Sequence, residues 1–155
     1  MTPDVDWEGL TVAFAARSKL MNHFLDRLTG EVHAHLNGSP GLRGALLFER
    51  EGRYVRIPKS SPEVDAARAR AFAPTIENAV VRRRAVEALE AEGPNAFRVA
   101  LVASPEDEKA WFVFRDRRVR AEARAWLASV GLEAAAPGVS RDGSSGGSDP
   151  AGSAS

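Results

Sequence analysis

Apolar positions recur with two different periods along this chain, and the change from one to the other divides it. Within residues 7–17, Trp7, Leu10 and Phe14 stand three and four apart, which predicts a short helix with one buried stripe. Residues 21–26 and 31–36 follow, joined through Arg27-Leu28-Thr29-Gly30. Alternation on both sides of Thr-Gly predicts a β-hairpin whose turn needs the positive φ that Gly30 adopts freely. Leu25, Val32, Ala34 and Leu36 are then expected to face a core. After a loop at 37–41, the runs ALLFE (45–49) and RYVRI (53–57) flank Arg50-Glu51-Gly52 and read as a second hairpin. Pro58, which has no N–H for a ladder, ends it. The expectation is a four-stranded antiparallel sheet.

Beyond Pro58 the period becomes helical. Ser61-Pro62-Glu63 and Ser104-Pro105-Glu106-Asp107 repeat one start signal: a capping hydroxyl, a proline in the first turn, and acids at the positive end of the dipole. Helices are predicted near 62–73, 77–92, 95–103, 106–115 and 117–131. Pro74 breaks the first, Gly93-Pro94 ends the second, Asp116 caps the last, and Gly131 terminates it. The fold class is therefore α+β: a small antiparallel sheet of two β-hairpins packed against a C-terminal cluster of about five short helices. Trp7, Phe14, Leu25, Val32, Phe72, Leu89, Phe97, Trp111, Phe114 and Trp126 are the expected core.

Composition adds boundaries. The 155 residues suffice for one domain with a real core. From Pro137 the sequence runs PGVSRDGSSGGSDPAGSAS, which has too little apolar surface to offset the entropy of ordering it. One globular domain is expected over 5–133, with a disordered Gly/Ser/Pro-rich tail over 134–155. The 21 basic and 21 acidic residues cancel, so any nucleic-acid or lipid affinity would have to come from a local patch. No cysteine is present, which excludes disulfides, thiol nucleophiles and cysteine-based zinc sites. No basic leader precedes an apolar segment, and no run approaches the roughly 20 apolar residues of a membrane span. A cytoplasmic location and no membrane partner are expected.

Three groups of residues carry candidate chemistry. All three histidines fall in the first hairpin, and His33 and His35, two apart, share a face. If Asp26 pairs with Glu31, that face also carries Asn22, Phe24 and both acids, a donor set that could serve a divalent metal in a metal-dependent enzyme. The same pattern describes the polar, solvated side of a hairpin. Arg82, Arg83 and Arg84 lie on a helix and so diverge, Arg82 with its stem half buried and its head paired with an acid.

The third group is the segment from Trp111 to Arg124. Trp111, Phe112, Arg115, Arg117, Arg118, Arg120 and Arg124 interleave aromatics with arginines, as in surfaces that grip phosphate or stack on bases. Arg117, Arg120 and Arg124 line up on one face, away from the apolar stripe of Val119, Ala123, Trp126, Leu127 and Val130. Templates such as GxSxG, a P-loop or GxGxxG are missing. The residues therefore favour a non-catalytic binding or regulatory module that recognises a protein partner and needs no cofactor. The alternative is nucleic-acid or phosphate-ligand binding through the Arg-rich C-terminal helix.

Several motifs resemble those of a bacterial group, uncharacterised protein family 0158, whose function is unassigned. FLDRLTGEV (24–32), RYVRIP (53–58), GPNAFR (93–98) and WFVFRDRRVRAEARAWLASVGL (111–132) are similar to its elements in their order, over about 24 to 132. Two positions depart from that pattern. Asn95 stands where the family has glycine, and Val99-Ala100-Leu101 replaces a basic residue and an aromatic after Phe97-Arg98. The second departure speaks against a phosphate-binding role for the helix near 97. The resemblance implies a fold and no mechanism.

Overall fold

The computed structural model describes residues 4–132; the expected tail, 134–155, lies outside the described residues. Helix α1 (Trp7–Ala15) is capped by Asp6, whose carboxylate accepts from the Gly9 N–H. It leads into β1 (Met21–Asp26) and β2 (Val32–Leu36). These pair antiparallel with Leu25 opposite Val32, and the Asp26 N–H donates to the Glu31 carbonyl, which is the pairing that puts His33 and His35 on one face with Asp26. Gly30 closes the turn at φ 79°, where an added Cβ would collide with the Asp4 carbonyl.

The second hairpin does not form. Residues 45–49 belong instead to helix α2 (Pro40–Arg50), and only β3 (Tyr54–Arg56) joins the sheet, on the other side of β1, giving the order β2-β1-β3. ALLFE is a continuous apolar run without alternation, and such a run does not distinguish strand from helix. The deciding signal lay before it: Ser39-Pro40 is the start signal seen at 61–62 and 104–105. The half-buried or buried Leu42, Ala45, Phe48 and Glu49 recur with helical spacing.

Helix α2 packs on β2 and β3. It covers the sheet face that the sequence leaves to solvent, so Phe24, Asp26 and Asn22 are buried there. Phe24, Phe48 and His33 surround Tyr54, and His35 packs on Phe24, in one aromatic cluster. On the opposite face the core reaches β2 only at Val32; Ala34 and Leu36, expected inside, are exposed on the edge strand.

Helices α3 (Pro62–Phe72), α4 (Ala79–Glu92) and α5 (Pro94–Leu101) follow, with a short 3-10 turn at Ala73–Thr75. Arg82 donates to the Ile76 carbonyl at 2.6 Å rather than to an acid. The last two expected helices are one, the 25-residue α6 (Pro105–Ser129). Asp116 is not a cap but an interior residue, paired one turn on with Arg120. Nothing between Pro105 and Gly131 breaks a helix, and Gly131 ends it at φ 83°.

Two apolar cores share α6. Its second half (Val119, Ala123, Leu127) packs with Leu10, Phe14, Leu25 and Ile57, with Trp7, Val32 and Trp126 half-buried at the margin. Its first half places Trp111, flanked by Phe114, among Phe72, Ile76, Leu89, Phe97 and Leu101. Among the described residues no helix is long and apolar enough to cross a membrane.

Candidate functional site

Between the two cores lies a layer of charge. On α3, Ser61 caps the first turn by accepting from the Val64 N–H. One stripe then carries Asp65, Arg68, Ala69 and Phe72, all buried. Ion pairs therefore occupy helix positions that usually hold leucine. Arg68 donates to Asp65 at 2.7 Å, to the Ser60 hydroxyl at 3.0 Å and, through Nε and Nη2, to Glu122 on α6. Burial opposes its charge, but the hydrogen bonds to Glu122 and Asp65 outweigh burial and push its pKa up.

Asp65 also receives Arg115, whose Nε and Nη2 reach its two oxygens at 3.2 and 3.3 Å, and Arg17, whose Nε lies 3.4 Å away. The same Arg17 donates to the Asn95 side-chain carbonyl at 3.0 Å. One buried carboxylate thus holds three guanidinium groups.

The outer side of this layer is a cleft of about 290 Å³. It is lined by Arg17, Asp65 and Arg115, by Pro94, Asn95 and Arg98 of α5, and by Trp111 and Phe112 of α6. Arg98 is exposed and makes no hydrogen bond or ion pair among the described residues. Four guanidinium groups (Arg17, Arg68, Arg98, Arg115) stand against two carboxylates (Asp65, Glu122), a net two positive charges in a protein whose total is zero.

The residues singled out from the sequence are divided by this arrangement. Arg115 lies in the cleft, and Trp111, though buried, contributes its edge. Phe112, 49% exposed, stands on the ridge between this cleft and a second groove. Arg120 is bound to Asp116 and Glu8, which raise its pKa. Arg124 lies over the Trp7 ring and Arg118 over Phe114. Arg117 lines a separate depression with Glu106 and Lys109. The expected stripe of Arg117, Arg120 and Arg124 is thus broken at its centre by acids.

Arg17, Asp65, Arg68, Asn95, Arg98 and Glu122 were not among the sequence candidates. Charges at 65 and 68 within an apolar stripe were the available signal.

The histidine face is built differently. Asp26, Glu31 and His33 each offer one donor atom within 4.8 Å of the others. His33 also stacks on Tyr54, with ring centres 5.4 Å apart, whereas His35 turns toward Phe24 and Gly41. Both Asp26 oxygens are engaged by Arg53, at 3.1 and 2.9 Å, and the Leu28 N–H adds a third bond at 2.9 Å. The hydrogen bond from Arg53 is the main reason the Asp26 carboxyl falls to about 2, against the opposing effect of burial. A cation would have to displace a guanidinium to reach it.

No protein-family model, curated protein or solved structure matches this chain, so the resemblance to family 0158 rests on its motifs alone.

Proposed function

We propose that this protein is a non-catalytic binding module whose recognition element is the arginine cleft over Asp65, and that it captures a phosphate-class dianion carried by a partner protein. The observation that carries this reading is the charge imbalance: three arginines share one buried carboxylate, and a fourth, Arg98, lines the same cleft with no partner among the described residues. Guanidinium forks suit phosphate oxygens in geometry as well as charge. A phosphomonoester carries about −1.5 to −2 at neutral pH, which matches the cleft's excess better than a single carboxylate would. Asp65 and Asn95 hold Arg115 and Arg17 in place before any ligand arrives, which lowers the ordering cost of binding.

The departure at Val99-Ala100-Leu101 counts less against a phosphate than the sequence suggests, because two of the cations come from the segment just after α1 and from α6 rather than from α5. Nucleic acid is the weaker reading: beyond the cleft the exposed acids Glu8 and Asp116 neutralise Arg120, which interrupts any basic track.

Calorimetric titration with phenyl phosphate is the test. Wild-type protein should bind with an affinity that falls as salt rises, and Arg98→Glu should abolish binding while leaving the melting temperature in place. Equal binding by Arg98→Glu, or no binding by the folded wild type, would overturn the reading.

A further inference from the structure

Resting on that reading, we infer that the ligand is a phosphorylated peptide segment with an apolar side chain next to its phosphoryl group, which docks in the groove beyond Phe112. The cleft over Asp65 and the second groove are neighbours: Ala15, Phe112 and Arg115 line both. Beyond those shared residues the second groove is lined by Thr11, Val12 and Val119, with Glu8 and Asp116 set against Arg120, which both of them hold. Val12 is 65% exposed and Phe112 49% exposed, one on α1 and one on α6, so two large apolar side chains face the same groove from opposite sides. Adjacent cationic and apolar subsites fit a ligand that carries both groups close together.

A peptide provides that pairing, since neighbouring residues place an anion and an apolar side chain within a few ångströms of each other. Charge complementarity separates it from nucleic acid. A second phosphate one step along the strand would meet Glu8 and Asp116 against the single Arg120, an excess of one negative charge, whereas an uncharged apolar side chain would not be repelled. The same acids select against a peptide with a second anionic residue at that position.

The probes are inorganic phosphate and capped alanine-rich peptides with one phosphoserine, flanked either by leucines or by alanines. The unphosphorylated leucine peptide and a short uridine RNA complete the set. Wild type should bind the leucine phosphopeptide about tenfold more tightly than the alanine form, and should not bind the unphosphorylated one. Phe112→Ser and Val12→Ser alter exposed side chains, so both variants should fold. Each should shrink the leucine advantage, and Val12→Ser, at a residue that lines only the second groove, should leave inorganic phosphate binding unchanged.

Equal affinity for the two phosphopeptides would overturn the inference, as would an undiminished advantage in both variants. Tighter binding of the RNA would overturn it in favour of nucleic acid. If inorganic phosphate binds but leucine gives no advantage, only the apolar subsite fails; if inorganic phosphate does not bind either, the cleft reading falls as well.

Discussion

Asp26 and Asp65 are both buried carboxylates on regular elements, both are gripped by arginine, and their charge balance differs. Asp26 has one arginine of its own, matched oxygen for nitrogen, plus a backbone N–H. That account is closed, and its product is a fixed hairpin end: Asp26 joins Arg53, just ahead of β3, to the turn after β1. Asp65 has three arginines and cannot saturate them. Its product is a cationic surface that lines a cleft. Burial and ion pairing alone do not separate a structural site from a binding site; the ratio of cations to anions does.

The largest effect should come from breaking the Asp65 hub. Asp65→Asn leaves Arg68, 2% exposed, with only Glu122 and Ser60, and removes the carboxylate from Arg17 and Arg115. Breaking a buried ion pair in this way costs about 3–5 kcal/mol, to be read from urea unfolding midpoints.

Asp26→Asn should cost less, at most about 2 kcal/mol, because Arg53 is over a third exposed and its charge is screened. The pH dependence follows from the direction of the shift. Asp26 titrates at about 2 when folded, below its ordinary 3.8, so its contribution is complete above about pH 4 and is lost as pH falls toward 2. Wild-type stability should decline across that window, and the Asp26→Asn variant should decline less steeply. Parallel curves would mean that Asp26 is not held as described.

Arg98→Ala should have the smallest effect on stability, within about 0.5 kcal/mol, because Arg98 is exposed and its side chain bonds to nothing among the described residues. It should still remove most of the anion affinity. A large loss of stability in this variant would show that Arg98 has a structural partner, and the contrast with Asp26 would collapse.

How much of this could be read from the sequence follows from how local each signal is. The first hairpin was legible from Thr-Gly at its turn, whereas its register, Asp26 opposite Glu31, stood only as a condition that the structure meets. Helix α2 was misread because an apolar run carries no period, although Ser39-Pro40 stood in front of it. Helix α6 was divided at Asp116 because an acid can cap a helix or pair within one, and only the uninterrupted helix decides between the two. For the site, Arg115, Trp111 and Phe112 were found because they cluster along the chain.

Arg17, Asp65 and Arg98 were missed because they come together from the segment after α1, from α3 and from α5, with Arg17 and Arg115 separated by most of the chain. Asp65 and Arg68 lie three apart among alanines, and there an ion pair turned inward resembles one turned to water. Packing between two cores makes the difference, and a single sequence does not display it.

The central claim is that an anion selects the unbalanced carboxylate and passes over the balanced one. Titrating inorganic phosphate into isotope-labelled protein at constant ionic strength tests this most directly. The amide and guanidinium signals of Arg17, Asn95, Arg98, Phe112 and Arg115 should shift and saturate together, while those of Asp26, His33, Arg53 and Tyr54 stay in place. Saturable shifts confined to the Asp26 end of the hairpin, or no saturable shift at the cleft, would contradict the account.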